Sequence, residues 1–476
     1  MTPLRVAVVC VADCTTKYLY QSLRFVASVV GLESQHTLEP YVGYFDGAPR
    51  HFLDLLQSLG AQTVPLERYS LSHGPSNKMA ILRSPNLDLD AFDAVMMCDC
   101  DVIFCEQFDE LLERDGFQAK IADQKTLPDS VLKNVFGLAG RPFPEEKFQT
   151  TLDRQPTILY CNAGVLIFSK SIFRSFIERW FFWNDLLLEH RKVMGDLEFF
   201  TDQASLCLTA DEYAGSFYEL PVRMNYPLHF SKETYPTGVL ETPANIIHYH
   251  NAVDSESGMI DVTDLVAQQA AIARFNQAFA ARPELVSGPA FWDYLSSTRA
   301  PEFELGDPFY QFRAGLVGQV VSNLRPKAVA DLGCGRRPLL GGRDVDSYTG
   351  LDWSLEAVQA ASRTDPLGTY RLADIAREDA DAADLTLLVD VLPYIADAAG
   401  ARSALRRAAK SARSSIVVSG LEQPIQSWDR PRTFFHAPID KLFEPFVDFG
   451  FQKIATAGAQ AFYLGRRRSA PTKKAD

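Results

Sequence analysis

The sequence has no apolar run of membrane-spanning length and no surplus of positive charge. Its opening segment, MTPLRVAVVCVADC, is apolar over too few residues to cross a bilayer and lacks the small-residue cleavage site of a signal peptide. The 47 basic residues are outnumbered by 60 acidic ones, so the formal charge is −13, which argues against a nucleic-acid partner. We therefore expect a soluble, cytoplasmic protein without a transmembrane segment. A transient membrane contact that reaches a lipid-linked substrate stays open, and so does the oligomeric state.

Paired cysteines are also missing. The chain has eight cysteines, and none of them shows the CxxC spacing of a zinc site. With 476 residues, of which 47% are hydrophobic, the chain can bury its cores without disulfide bonds, so we expect reduced and mostly buried thiols. The length predicts two domains, and no internal repeat is present.

Strand-like and helix-like segments alternate along the first half of the chain. Strand-like segments occur at 5–12, 41–45 and 61–66, and a nearly continuous apolar strand is predicted at 93–104. Alternation with helical segments predicts βα units and a mostly parallel sheet. The segment 120–155, which is rich in proline and glycine, is expected to be a long loop.

A second series of strand-like segments follows a stretch rich in proline, glycine and serine. Its strands are predicted at 328–332, 348–352, 370–372, 385–391 and 415–419. The fold class is therefore α/β with two Rossmann-like domains. The predicted domain limits are 1–282 and 309–465, with a linker at 283–308 and a disordered tail at 466–476.

Two acidic residues interrupt the apolar strand at 93–104. Asp99 and Asp101 stand on either side of Cys100, and in an extended backbone their side chains project the same way. Burial of unpaired carboxylates is costly, and a divalent cation that bridges to phosphate oxygens offsets that cost. The alternative is that the strand ends there and both carboxylates are solvated.

Two histidines, His248 and His250, alternate on a later β-like run, so both are expected to face one side. An imidazole that joins two carboxylates favours Mn²⁺ over Mg²⁺. The alternative is that both histidines are structural.

Six short motifs occur in a fixed order along the first half. They are Val11-Ala12-Asp13, Asn77-Lys78, Asp99-Cys100-Asp101, Cys161-Asn162-Ala163-Gly164-Val165, Asp202-Gln203 and Ile247-His248-Tyr249. This ordered set, over roughly the first 280 residues, resembles the glycogenin-like, family-8-type glycosyltransferases of the GT-A fold.

The resemblance implies retaining hexosyl transfer from a nucleotide-sugar donor, with a UDP-sugar favoured, to a glycan or glycolipid acceptor. It places Mn²⁺ (or Mg²⁺) on Asp99, Asp101 and His248. It assigns the remaining motif residues to the donor: Ala12 and Asp13 to the nucleoside, Lys78 to the diphosphate or sugar, Asn162 and Gly164 to the sugar pocket, and Asp202 and Gln203 to the sugar near the reacting carbon. A metal and Lys78 would stabilise the charge that develops on the leaving diphosphate.

Simpler interpretations of these residues stay open. Asp13 is equally a turn residue, Lys78 a solvated charge, and 162–164 a tight turn. Cys100 and Ala163 depart from the residues usual in the family, and the long segment 120–155 leaves acceptor recognition unassigned.

In the second half, the strand at 328–332 runs into Gly333-Cys334-Gly335, a turn that lets a ligand approach the backbone closely. Arg336-Arg337-Pro338 follows where a dinucleotide-binding motif has its third glycine, which weakens an NAD assignment. Four acids each end a separate strand: Asp331, Asp352, Asp374 and Asp390.

This pattern resembles class I S-adenosylmethionine-dependent methyltransferases over about 309–465. The resemblance places Gly333 and Gly335 beside the methionine moiety of S-adenosyl-L-methionine. It assigns the four acids as follows: Asp331 to the loop or the methionine ammonium, Asp352 to the ribose, Asp374 to the adenine amino group and Asp390 to the substrate side. Tyr394 and His436 are the candidate general bases, and His436, which has the suitable pKa, is chosen, although a structural histidine is the alternative.

The combined prediction is a bifunctional transferase, with a GT-A fold followed by a class I methyltransferase fold. A second hypothesis keeps the glycosyltransferase and makes the C-terminal domain a non-catalytic scaffold or sensor that binds S-adenosylmethionine. A nucleotidyltransferase is disfavoured, because the segment after the first strand, 11–16, has no glycine.

Overall fold

The structure is a computed structural model that describes residues 2–254, 257–261, 264–299, 306–340, 345–425 and 433–468. The chain forms two compact units. The N-terminal unit comprises Met1–Val253 and Ile260–Phe279, and the C-terminal unit comprises Asp254–Met259 and Ala280–Asp476. None of the helices in the described part of the chain is long and apolar enough to cross a membrane.

The N-terminal unit is built on twelve strands and eight helices in the described residues. The strands are β1 (Arg5–Ala12), β2 (Thr37–Tyr44), β3 (Gln62–Pro65), β4 (Ala94–Cys98), β5 (Val102–Phe104), β6 (Phe117–Ile121), β7 (Phe148–Gln149), β8 (Pro156–Thr157), β9 (Cys161–Ser169), β10 (Phe217–Glu219), β11 (Tyr226–Pro227) and β12 (Ile246–His248). The helices are α1 (Thr16–Val30), α2 (Arg50–Ser58), α3 (Asp109–Leu112), α4 (Asp129–Leu138), α5 (Lys170–Glu189), α6 (Thr201–Glu212), α7 (Thr237–Leu240) and α8 (Val266–Ala280).

Its main sheet has seven strands in the order β10-β6-β9-β4-β1-β2-β3. Strand β1 pairs in parallel with β2 and β4, and β9 is antiparallel to β4 and β6. The centre of this sheet is apolar throughout, since every residue of β4 is buried. One face packs against α5, where Phe176 and Trp180 are fully buried beside Val9 and Met97. A strand covered on both faces reads as a continuous apolar run, which explains why β1 and β4 are visible in the sequence.

A second, three-stranded sheet has the order β11-β12-β5. Strand β5 follows β4 in the chain but leaves the main sheet and pairs antiparallel with β12, with His248 opposite Val102. The chain therefore turns between β4 and β5, and the prediction of one continuous strand over 93–104 is wrong at residues 99–101. The change of sheet explains the turn, because β5 cannot continue the direction of β4 and still pair with β12.

The C-terminal unit has seven strands and five helices in the described residues. The strands are β13 (Ala328–Leu332), β14 (Ser347–Asp352), β15 (Thr369–Leu372), β16 (Ala383–Leu388), β17 (Ala412–Leu421), β18 (Phe449–Ala457) and β19 (Gln460–Arg467). The helices are α9 (Pro283–Ser287), α10 (Pro289–Thr298), α11 (Pro308–Leu324), α12 (Leu355–Thr364) and α13 (Ala398–Ser411).

These strands form one sheet in the order β15-β14-β13-β16-β17-β19-β18. The strands from β15 to β17 pair in parallel, and β19 is antiparallel to both β17 and β18. Helix α11 packs Val317 against one face of the sheet, and α13 packs Leu405 against the other. The order reverses between β13 and β16, and in doubly wound sheets ligands bind at the carboxyl ends of the strands beside such a reversal. The predicted fold class, α/β with two Rossmann-like units, is confirmed.

Three segments differ from their predicted character. The segment 120–155, expected to be a loop, contains α4, whose Leu132, Val135 and Phe136 are buried. The expected linker 283–308 contains α9 and α10, because Leu285 and Phe291 provide buried contacts despite the surrounding proline and glycine. A disordered tail was expected from 466, but β19 includes Arg466 and Arg467; residues 469–476 lie outside the described residues. The predicted domain limits stay a proposal.

All eight cysteines are free, and six of them are buried, as expected for reduced thiols.

Candidate active sites

The first candidate site lies where β4, β5 and β12 meet in the N-terminal unit. Asp99 and Asp101 occupy the turn between β4 and β5, and the pairing of β12 with β5 places His248 beside them. The His248 Nε2 atom is 3.0 Å from Asp101 Oδ1 and 4.0 Å from Asp99 Oδ2. The structure therefore brings together the three residues predicted to hold a metal ion, although they do not share one extended strand.

A further histidine reaches the same carboxylate. The Nδ1 atom of His250 is 3.8 Å from Asp101 Oδ2, and ligand atoms of Asp101, His248 and His250 all lie within 4.8 Å of one another. His250 was noted in the sequence but not chosen as a ligand, although its alternation with His248 was the signal that could have selected it. Carboxylates and imidazoles within reach of one ion form a donor set that fits a divalent transition metal.

The orientation of the His248 ring is fixed by a contact on the side away from the carboxylates. Its Nδ1 atom lies 3.0 Å from Asn225 Oδ1, so the other ring nitrogen, Nε2, faces the carboxylates. Asn225 in turn donates from Nδ2 to Asn162 Oδ1 at 3.0 Å, and the Gly164 backbone N–H donates to the same oxygen at 2.8 Å. The predicted pocket residues Asn162 and Gly164 thus help to position His248 through Asn225, a residue that the sequence did not reveal.

Charge is tightly balanced around Asp101. Burial alone would raise the pKa of this carboxyl, but the neighbouring His248 outweighs burial, so the pKa of Asp101 is lowered. Burial lowers the pKa of His248, and the Asp101 carboxylate reverses that effect and raises it. For His250, burial and the adjacent His248 lower the pKa to about 2, so this imidazole is neutral.

Lys78 lies between two carboxylates and is not a solvated surface charge. It is carried by the 3₁₀ helix Pro75–Arg83, and its Nζ is 3.4 Å from Asp99 Oδ1 and 3.1 Å from Asp202 Oδ2. Burial would lower the pKa of Lys78, but the two carboxylates outweigh it and raise the pKa. Lys78 therefore links the turn between β4 and β5 to the first turn of α6.

Asp202 and Gln203 lie at the start of α6. Asp202 is buried, and its carboxylate is the partner of Lys78. Gln203 accepts a hydrogen bond from the Tyr160 hydroxyl at 2.9 Å, which fixes the side-chain amide. Asp202 therefore belongs to the polar cluster that contains Asp99 and Lys78, and Gln203 follows it in the first turn of α6.

The predicted nucleoside contacts lie at the end of β1. Ala12 is fully buried, and Asp13 forms an ion pair with Arg68, whose Nη2 is 2.7 Å from Asp13 Oδ1. Partial burial raises the pKa of Asp13, but the hydrogen bond from Arg68 outweighs it and the pKa is lowered. The backbone N–H of Cys14 also donates to Asp13 at 2.7 Å, so the residue has the turn role that the sequence left open.

Asp123, which sequence reasoning missed, borders the same site. It follows β6 and pairs with the fully buried Lys120, whose Nζ is 2.5 Å from Asp123 Oδ1. The Asn162 side chain donates to the other oxygen of Asp123 at 3.4 Å. Its position directly after a strand was the available signal, but the segment was interpreted as a loop.

The second candidate site is a cavity of about 480 Å³ in the C-terminal unit. It lies beyond the carboxyl ends of β13, β14, β15 and β16, beside the reversal of strand order. Five of the predicted cofactor-binding residues line it: Gly333, Gly335, Asp352, Asp374 and Asp390. The sixth, Asp331, does not line the cavity and lies buried in β13, where it accepts a hydrogen bond from the Tyr348 hydroxyl at 2.5 Å.

The loop after β13 needs glycine at two positions. Gly333 and Gly335 have φ values of 82° and 64°, which side chains disfavour. A Cβ atom on Gly333 would also lie 2.3 Å from Cγ2 of Val391. Asp352 fixes the loop from the neighbouring strand, because its Oδ2 accepts from the Gly335 N–H at 2.9 Å.

Two buried acids of this site have raised pKa values. Burial raises the pKa of Asp352 to about 6, and it has the same effect on Asp331. Asp374 is more exposed and accepts from the Ala376 N–H at 2.9 Å, while Asp390 forms an ion pair with Arg313.

The two candidate general bases are separated. Tyr394 lines the cavity and packs edge-on against Trp292, with ring centroids 5.1 Å apart. His436 does not line the cavity, and its Nε2 lies 2.8 Å from the carbonyl oxygen of Ile395. The choice of His436 as base is therefore not supported by its position, and the contact fits the structural alternative.

Helix α10, in the segment expected to be a linker, contributes three residues to the cavity wall, Trp292, Leu295 and Ser296, and Arg299 directly after the helix adds a fourth. Asp293 of the same helix is buried and accepts from Ser354 Oγ at 2.8 Å, which joins α10 to the start of α12. The apolar spacing of Phe291, Tyr294 and Leu295 was the signal for this helix, and the adjacent proline and glycine obscured it.

Comparison with known proteins finds a family model for the N-terminal part of the chain. Residues 8–214 match the model of the Rhodobacterales glycosyltransferase domain, which confirms the prediction of an N-terminal glycosyltransferase domain. The match covers less than half of the chain, and it supports the coarse class of transferase for the molecule. No curated protein matches the chain.

Solved structures of two kinds are similar to parts of the chain. The galactosyltransferase LgtC, in complex with donor and acceptor sugar analogues, is 16% identical, with 64% of this chain and 99% of LgtC covered and a TM-score of 0.38. The magnesium protoporphyrin IX methyltransferase from Synechocystis PCC 6803 with bound SAH is 18% identical, covering 35% of this chain and 92% of its own, with a TM-score of 0.29. The N-methyltransferase NodS from Bradyrhizobium japonicum WM9 is 16% identical, covering 34% and 99%, with a TM-score of 0.30.

Proposed function

We propose that the N-terminal unit transfers a sugar from a nucleotide-sugar donor, with a UDP-sugar favoured, to a glycan or glycolipid acceptor in a metal-dependent, retaining reaction. The observation that carries this proposal is the convergence of Asp99, Asp101 and His248 beside Lys78 and Asp202. Four of these five residues lie inside 8–214, the segment that matches a glycosyltransferase domain.

Each side chain has a distinct task in this reaction. Asp99, Asp101 and His248 hold Mn²⁺ or Mg²⁺, which when bound neutralises charge on the donor diphosphate. Lys78 supplies a fixed cation next to the leaving group, and its two carboxylate partners prevent it from losing its proton. Asp202 and Gln203 orient the donor sugar, Asn162 and Gly164 shape its pocket, and Ala12 and Asp13 border the nucleoside.

We propose further that the C-terminal unit binds S-adenosyl-L-methionine and transfers its methyl group. The supporting observation is the 480 Å³ cavity lined by Gly333, Gly335 and Asp352 at the carboxyl ends of the parallel strands. Asp352 holds the ribose, Asp374 the adenine amino group, and Asp331 orients the glycine loop from below. Asp390 faces the acceptor, and Tyr394 replaces His436 as the residue placed to accept a proton.

Two activities on one chain raise the local concentration of a shared product, so the sugar acceptor and the methyl acceptor are proposed to be one glycan. The free thiols agree with a reducing compartment, and we place the enzyme in the cytoplasm.

Ligand-dependent thermal stability tests both sites in the full chain. Ligands that bind only the folded protein raise its melting temperature. We expect UDP with Mn²⁺ to raise it more than GDP or CMP with Mn²⁺, and Asp101→Ala to abolish this shift. S-Adenosylhomocysteine is expected to give an independent shift that Asp352→Ala abolishes and Asp101→Ala leaves intact. If no nucleotide shifts the transition with Mn²⁺ present, the glycosyltransferase mechanism proposed here is wrong.

A second candidate role for the C-terminal unit is a scaffold or sensor that binds S-adenosylmethionine without methyl transfer. The position of His436 outside the cavity favours this alternative. Release of S-adenosylhomocysteine from S-adenosylmethionine, measured with the glycosylated product as acceptor, separates the two. Binding without release supports the scaffold.

A further inference from the structure

We propose that His250 is an additional ligand of the metal ion at the N-terminal site, and that the resulting carboxylate and two-imidazole set makes the site select transition metals over Mg²⁺. The inference rests on the metal site of the proposed function, which assigns Asp99, Asp101 and His248 but not His250.

The first support is distance. The Nδ1 atom of His250 lies 3.8 Å from Asp101 Oδ2, and the Nε2 atom of His248 lies 3.0 Å from Asp101 Oδ1. An ion with bonds of about 2.1 Å holds neighbouring ligand atoms about 3 Å apart. His248 and Asp101 already have this spacing, and His250 reaches it by a movement of about 1 Å, a small adjustment for a side chain.

The second support is the backbone. Strand β12 ends at His248, and His250 adopts φ 50°, a left-handed conformation that is uncommon for a residue other than glycine. Strained conformations of this kind concentrate at functional sites and persist where surrounding contacts enforce them. One such contact is present, since Gln21 Nε2 donates to the His250 carbonyl oxygen at 3.3 Å.

The third support is the packing of the imidazole. The rings of His248 and His250 stack with centroids 3.7 Å apart, and His229 packs edge-on against His250 with centroids 4.0 Å apart. Three histidine rings in contact hold His250 between a metal ligand and a buttress, so its Nδ1 stays near Asp101.

The donor set has a consequence for metal choice. Lys78 lies 3.4 Å from Asp99, so one of the two carboxylates is shared with a cation. Two imidazoles and one full carboxylate then dominate the coordination, and imidazole suits first-row transition metals, whereas Mg²⁺ prefers oxygen. A second nitrogen ligand therefore raises affinity for Mn²⁺ or Co²⁺ much more than for Mg²⁺.

The test is titration of the full chain with Mn²⁺, Co²⁺ and Mg²⁺. Binding is measured by calorimetry and, for Mn²⁺, also by the electron paramagnetic resonance signal of the free ion. His250→Ala is expected to weaken Mn²⁺ and Co²⁺ binding at least about tenfold and Mg²⁺ binding less than about threefold. The control is His190→Ala, which removes an exposed histidine from the end of α5 and should change neither affinity. His250→Gln, closer in size, guards against a folding defect, and circular dichroism checks both variants.

The visible absorption of bound Co²⁺ gives a readout independent of affinity, because replacing a nitrogen ligand alters its ligand field. Unchanged Mn²⁺ affinity and an unchanged Co²⁺ spectrum in both His250 variants would overturn the proposal. Asp101→Asn distinguishes a failure of the His250 assignment from a failure of the proposed metal site. If Asp101→Asn abolishes Mn²⁺ binding while the His250 variants do not, His250 is no ligand and the site of the proposed function stands. If Asp101→Asn also has no effect, the proposed metal site itself is wrong.

Discussion

Gly164 supports the metal site through its lack of a side chain, and Gly164→Ala tests this directly. A Cβ atom at this position of β9 would lie 2.8 Å from Cε1 and 2.9 Å from Nδ1 of His248, and 3.0 Å from Oδ1 of Asn162. The backbone cannot easily withdraw, because the Gly164 carbonyl accepts from the Asp99 N–H at 2.9 Å and its own N–H donates to Asn162 at 2.8 Å. The imidazole must therefore move.

The magnitude follows from two contributions. An extra carbon in a packed interior costs about 1–3 kcal/mol. Displacement of His248 also weakens its hydrogen bond with Asn225, worth about 0.5–1.5 kcal/mol, although part of this loss is already included in the packing cost. We expect the N-terminal unit to lose about 2–3 kcal/mol of its free energy of unfolding. Mn²⁺ affinity should fall about 10- to 100-fold, as when a metal ligand loses its orientation.

Chemical denaturation and Mn²⁺ titration of the same samples measure both effects. The matched control is Gly137→Ala in α4, where an added Cβ meets no atom within 4 Å. Alanine favours a helix over glycine by up to about 1 kcal/mol, so this control should be neutral or slightly more stable. Wild-type Mn²⁺ affinity and stability in Gly164→Ala would refute the placement of His248 against β9.

Three further predictions concern the charged groups and the second site. Because burial raises the pKa of Asp352 to about 6, its carboxylate takes up a proton below that pH. The affinity for S-adenosylhomocysteine, measured by calorimetry, should therefore fall about tenfold from pH 7 to pH 5. Asp352→Asn should abolish this pH dependence. With the folded pKa above the unfolded value, the ligand-free unit should lose stability as the pH rises through about 6, visible as a falling melting temperature. Lys78→Met should cost about 2–3 kcal/mol in denaturation experiments, below the range for a fully buried pair because Asp99 is 30% exposed, and Lys78→Met/Asp202→Asn should recover part of it. Tyr394→Phe should reduce the rate of methyl transfer at least about tenfold with cofactor affinity unchanged, while His436→Ala should change neither the rate nor the affinity. The reverse result would restore His436 as the base.

Much of the sheet framework was predictable from the sequence. The bounds of β1 and β13 agree with the structure to the residue, because each strand pairs in parallel on both sides and is largely apolar and buried. Strands β18 and β19 were not predicted. They form the antiparallel side of the second sheet. The edge strand β18 is mostly half-buried or exposed and carries a lysine, so no continuous apolar run marks it, whereas β19 does contain an apolar run, 461–464, that was overlooked.

The candidate sites were predictable only in part, and for a physical reason. Asp99, Asp101 and His248 stand out because polar residues inside apolar runs are expensive to bury. Their mutual geometry depends on β5 leaving the main sheet to pair with β12, a long-range event that local pattern does not reveal. Asn225 was missed on the same grounds, since its role exists only once the fold brings Asn162 and His248 within hydrogen-bonding distance of it.

The two sites handle buried carboxylates in opposite ways, and this difference accounts for their different proposed ligands. In the N-terminal site, Asp99 lies beside Lys78, and the imidazole of His248 lowers the pKa of Asp101, so the cluster is suited to a divalent ion and a diphosphate. In the C-terminal site, Asp352 is met by two neutral backbone donors, the N–H groups of Gly335 and Ser354. Its pKa near 6 shows that these donors do not fully offset burial. A carboxylate in that condition gains from further hydrogen-bond donors, and the hydroxyl pair of a ribose supplies them without the charge that a diphosphate would bring.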